Sequence, residues 1–83
     1  MARTVITEVN RLSRKTFRAL RSELTGLDAF HNVVADPSAV SEAALDEIRE
    51  ILVKYGIAED VLPNSQSIED AVWAIKARAV QLL

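Results

Sequence analysis

Five cations, Arg11, Arg14, Lys15, Arg18 and Arg21, fall within the eleven residues RLSRKTFRALR of a chain whose net charge is only −2. Guanidinium groups in such density suit the recognition of phosphate or carboxylate, because the planar fork of arginine can engage either through two hydrogen bonds. A helical projection at about 100° per residue, with Arg18 as zero, places all five between roughly 300° and 60°. Val5, Ile6, Val9, Leu12, Phe17, Leu20 and Leu24 occupy an arc of about 140° on the other side. The cations therefore face away from the core, and Arg3 joins them if the helix reaches back that far.

The charge is strongly divided along the chain. Residues 1–24 carry six Lys/Arg against Glu8 and Glu23, a net of +4, and residues 25–83 carry four against ten, a net of −6. Neighbouring like charges on one helix face cost about 0.2–0.5 kcal/mol per pair. A helix that retains five such pairs (11/14, 11/15, 14/18, 15/18 and 18/21) is the expected binding surface for an acidic partner protein. The same face on the phosphates of a nucleic acid is the alternative, and a solvated face compensated by the acidic remainder is the bland reading. No aromatic residue interleaves with the cations, which argues against stacking on single strands. An anionic membrane surface is the weakest partner, because the apolar side of this helix is needed for the core.

Trp73 carries the second chemical signal. It lies off the core stripe of its helix, with Ala77 and Val80 following at i+4 and i+7. Tryptophan flanked by small and branched apolar residues is the composition of an interface centre, so these three residues are the expected homodimer contact. The competing reading has a short neighbouring helix cover them.

Other candidates are weaker. Glu42, Asp46 and Glu50 follow i, i+4, i+8 spacing and form an acidic stripe that could hold a cation or meet the basic helix of another copy. With Arg49 and Lys54 nearby, a solvated face is preferred. His31, between Phe30 and Val33, reads as a partly buried helix histidine. No P-loop, GxGxxG, HExxH or nucleophile–histidine arrangement occurs, so the expectation is a non-enzymatic protein with no metal and no cofactor.

The elements that must position these groups are helices. Gly26, Asp36–Pro37, Gly56 and Pro63 divide the sequence into helix-length pieces at 4–24, 27–35, 37–55 and 67–83. Gly26 and Gly56 stand where left-handed caps are wanted, each with an apolar residue following. Asp36–Pro37 reads as N-cap and first helical position, and Ser67 with Asp70 as a capping box. The third helix carries Val40, Ala44, Ile48, Ile51, Leu52 and Tyr55 on one side. The last carries Ile68, Ala71, Val72, Ile75, Ala79 and Leu82. The expected fold is all-α, a single domain (1–83) forming a small bundle of about four helices.

A rival has "RTVITEV" as a strand, since Val5, Thr7 and Val9 alternate; a strand before two helices would match the ribbon-helix-helix repressors. Ile6 and Leu12 fit the helical stripe better.

Composition sets the remaining bounds. At 49% apolar and 27% charged residues the chain is that of a folded domain, and 83 residues leave a thin stability margin that disulfides cannot reinforce, there being no cysteine. Self-association is the remaining remedy, and a homodimer is expected. The charged opening residues and the lack of a long apolar run point to a cytoplasmic protein without a membrane segment. Few lysines beside abundant Ala, Val and Arg suggest a bacterial or phage source with a GC-rich genome.

Overall fold

A computed structural model describes residues 4–82. Among them are five α-helices and two single 3-10 turns, with no strand. The all-α class is as expected, and the strand reading of residues 4–9 is excluded. Arg3 lies outside the described residues.

The extra helix comes from a break in the first segment. Helix α1 is Val5–Arg11 and α2 is Arg14–Thr25, separated by Leu12 and Ser13 in extended conformation. Ser13 accepts the Thr16 N–H at 3.1 Å and so caps α2. In an unbroken helix Ser13 and Thr16 would project at roughly 220° and 160°, inside the apolar arc. The two hydroxyls would then lie along the buried seam, where an unpartnered polar group is costly. Breaking the helix turns Ser13 into an N-cap instead, a position that favours serine by about 1 kcal/mol over alanine.

The break sends the two halves to different partners. Helix α1 packs mainly on the last helix, α5, whereas α2 packs on α3 and α4. Only Val5 and Val9 of α1 are buried. Ile6, expected in the core, is 52% exposed, because a seven-residue helix docked along Val5 and Val9 turns it outward.

Helix α3 spans Asp28–Ala35, within one residue of expectation. The turn before it is not left-handed. Gly26 has φ −82°, and Leu27 donates its N–H to the Leu24 carbonyl at 3.0 Å. With Asp28 already opening α3, a tight right-handed turn carries the chain across.

The next segment also starts differently from expectation. Asp36 caps only a 3-10 turn, Pro37–Ala39, by accepting the Ser38 N–H at 3.2 Å. Val40 and Ser41 are extended, and Ser41 caps α4, Glu42–Lys54, through the Ala44 N–H. At its far end the expected glycine stop is present. Gly56 adopts φ 103° and donates to the Val53 carbonyl, while Ile57 donates to Leu52, each at 3.0 Å. These two bonds make a Schellman cap, and Ile57 is buried as its apolar partner.

After a second 3-10 turn, Glu59–Val61, helix α5 runs from Ser65 to Gln81. Its cap is Asn64, with Ser67 as the reciprocal member of the box, so the helix starts two residues before the expected Ser67.

Phe17, Leu20 and Leu24 of α2, Ile48 and Leu52 of α4 and Val72 and Ile75 of α5 are fully enclosed, together with Val9 and Val33. Leu45 and Ala74, absent from the expected stripes, are also buried. Val40, Ala44, Ile51, Tyr55, Ala79 and Leu82 pack against the core while remaining half-buried. No helix of the described residues is long and apolar enough to cross a membrane.

Candidate functional site

Helix α2 buries Phe17, Leu20 and Leu24 and presents Arg14, Lys15, Arg18 and Arg21 on its exposed side. Arg11 sits beyond the break on α1, 3.8 Å from Glu8, with its side chain 71% exposed. The expected basic face therefore divides into four residues on one rigid helix and a fifth on another. Among the described residues, none of the four on α2 pairs with an acidic side chain.

The single acid of α2 faces elsewhere. Glu23 accepts from Lys54 Nζ at 3.0 and 3.3 Å and from the Tyr55 hydroxyl at 2.8 Å, tying α2 to the end of α4. The hydrogen bond from Lys54, followed by that from Tyr55, holds the Glu23 carboxyl below its ordinary 4.5. The bond to Glu23 raises both Lys54 and Tyr55 above their ordinary values of 10.5 and 10.0.

These shifts fix a pH window for the clasp. A depressed carboxyl contributes stability above about pH 4.5 and loses it as pH falls through the lower folded value. The raised groups contribute below about pH 10 and lose it as pH rises through their higher folded values. The melting-temperature advantage of wild type over Glu23→Gln is accordingly expected to be flat between pH 5 and 9 and to shrink on both sides. An advantage that persists undiminished at pH 3 would contradict the clasp.

Glu42, Asp46 and Glu50 are exposed on α4 as a solvated stripe. Among the described residues there is no group of three or more candidate ligands that could hold a metal ion.

Trp73, Ala77 and Val80 are exposed along α5, Trp73 by 45% and Val80 by 69%. Helix α3 does not cover them. It stands alongside, and Phe30 and Val34 form the facing wall of an open groove of about 490 Å³. The C-terminal half of α2 closes one side with Arg21 and Thr25, and Lys76 lies on the α5 side. Arg18 and Arg21 also line a shallower surface depression with Ser22 and Thr25, so the basic face of α2 runs directly into the groove.

His31, expected to be partly buried, is exposed at this border. Its Nε2–H donates to the Thr25 carbonyl at 2.8 Å, and its ring meets Phe30 edge-on at 5.6 Å between centroids. The side chain occupies a carbonyl that the end of α2 would otherwise leave open.

Arg78 is the residue that charge counting missed. Its Nη1 donates to the Val9 carbonyl at 2.7 Å, and its guanidinium lies 4.5 Å from the centre of the Phe17 ring. Val9 is in the last turn of α1, where the break at Ser13 removes the next helical N–H. A cation is thus held at a helix C-terminus, where the helix dipole favours it and the Val9 carbonyl has otherwise only a long 3.4 Å bond from the Leu12 N–H. The spacing places Arg78 on the core side of α5, since it continues the pattern of Ala71 and Ile75 and precedes Leu82 at helical intervals, but it does not name the Val9 carbonyl as its partner. Comparison with protein-family models, curated proteins and solved structures finds no match for this chain.

Proposed function

We propose that the chain is a small non-enzymatic interaction module that binds an acidic segment of a partner protein through Arg14, Lys15, Arg18 and Arg21. The observation that supports this reading is the isolation of those cations. Four like charges share one short helix, the only acid of that helix is engaged by α4, and among the described residues no ion pair joins the face to an acidic side chain. A face designed only for solvation would interleave its signs. Continuity with an apolar groove favours a protein over the phosphates of a nucleic acid, which offer no apolar counterpart.

The double replacement Arg14→Gln/Arg18→Gln tests the reading. It removes the like-charge neighbours 14/18, 15/18 and 18/21 within α2, so stability should hold or rise by up to about 1 kcal/mol. Binding of a poly-glutamate probe should weaken roughly two- to thirtyfold at low salt, the loss of two exposed ion pairs at about 0.2–1 kcal/mol each. The difference should narrow at higher ionic strength. A clear fall in melting temperature would mean that the cations are structural. Nucleic acid that accompanies the protein through low-salt purification, and is lost on nuclease treatment, would replace the acidic protein by a phosphate backbone.

A further inference from the structure

We infer that the groove between α3 and α5 docks a short amphipathic helix of an acidic partner, its apolar side seated on Trp73, Val80 and Val34 and its carboxylates on Arg21 and Lys76. This rests on the reading of α2 as an acid-binding face and adds the shape of the segment that is bound.

Charge complementarity selects the occupant. Among the described residues, the ionic side chains along the groove are Arg21 and Lys76, with the His31 ring beside them, and no aspartate or glutamate lines it. Two alanines, Ala77 and Ala79, make the floor shallow-sided and leave room for inserted side chains. Trp73 supplies a large, half-exposed anchor of the kind that dominates interface energetics. From Trp73 to Val80 the groove follows α5 for about 10 Å, two helical turns. That length accepts apolar residues at i, i+3 or i+4, and i+7, the pattern of helix-in-groove recognition. Strand addition is not open to it, as the described residues contain no sheet edge.

A second copy of the chain fits less well. A two-fold contact through this groove would bring Arg21 and Lys76 of both copies together, like charge on like charge. The acidic stripe of α4 could not enter instead, because the apolar residues of that helix, Leu45, Ile48 and Leu52, are buried in its own core. A homodimer through Trp73, Ala77 and Val80 would have to accommodate that like-charge repulsion.

Trp73 is the only tryptophan, so its emission reports on the groove directly. The probe is a synthetic glutamate-rich peptide of ~15 residues, long enough to form helix once docked, with leucines at i, i+4 and i+7. Its control has the same composition with the leucines scattered. The amphipathic peptide should shift Trp73 emission to shorter wavelength and saturate, and the control should bind at least about tenfold more weakly, without the shift. Ala77→Gln/Val80→Gln, at two exposed positions and with charge unchanged, should abolish the shift but leave binding of the control peptide to α2 intact. Circular dichroism confirms that this variant remains folded. Equal affinity for both peptides overturns the groove inference while the acid-binding face stands. No binding of either overturns both. A Trp73 shift on concentrating the chain alone, with dimer in sedimentation, assigns the groove to a second copy and overturns it as well.

Discussion

Phe17→Ala should destabilise the protein by about 3–5 kcal/mol, the usual cost of removing a fully enclosed aromatic ring. Phe17 is 0% exposed and sits where α2 meets the remainder of the core. A domain of this size has roughly 5–10 kcal/mol in total, so the variant would lose about a third of it or more. The melting temperature should drop by at least about 12 °C, at 4–8 °C per kcal/mol for a chain of this length. The ring is also the surface on which the Arg78 guanidinium rests, so its removal loosens the α1–α5 joint as well. Chemical denaturation with an unchanged slope and a large fall in midpoint is the expected signature. A loss below about 1 kcal/mol would show that the site collapses around the missing ring and that the packing is not as described.

Arg78→Ala should cost about 2–5 kcal/mol. A hydrogen bond from a charged donor contributes about 1.5–3 kcal/mol, and a partly desolvated cation on an aromatic face adds about 0.5–2. The variant also leaves the Val9 carbonyl part-buried without its 2.7 Å partner. Arg78→Lys keeps the charge but not the planar stacking, and should recover less than half of the loss. A double-mutant cycle with Phe17→Leu should give a coupling of about 0.5–1.5 kcal/mol. If Arg78→Ala proves as mild as Arg14→Gln/Arg18→Gln, the contact with Val9 is not a structural one. The comparison sets two groups of arginines with the same chemistry against each other, one group projecting to solvent and the other closing the fold.

That contrast also shows what the sequence could reveal. The outward direction of Arg14, Arg18 and Arg21 followed from helical periodicity alone, because it depends only on which side of α2 is apolar. The role of Arg78 depends on a carbonyl 69 residues away, and a pattern confined to one helix does not contain that information. Ser13 and Thr16 were readable in principle. Two hydroxyl residues inside an otherwise apolar arc, spaced as a cap, compete with helix continuation, and seven apolar matches outweighed them. Gly56 and Gly26 look alike in sequence, yet only Gly56 reaches positive φ, since the distance to the next helix decides whether the chain reverses there. Trp73 was recognisable as lying off the core stripe. Its place in a groove beside Phe30 and Val34 required knowing how α3 crosses α5.

The joint between α1 and α5 has a kinetic consequence. Seven residues are too few for a helix to persist by itself, so α1 acquires its structure only on docking. That docking closes nearly the entire chain into one loop, whereas α2, α3 and α4 meet through much shorter ones, and the loop-closure cost rises with length. The folding transition state should therefore contain the α2–α4 core with α1 still detached. Arg78→Ala would then accelerate unfolding and leave the folding rate almost unchanged, a φ-value near zero, while Leu20→Ala would slow folding. Stopped-flow rates for the two variants would show it, and a slowed folding limb for Arg78→Ala would place the closing of the chain ends early instead.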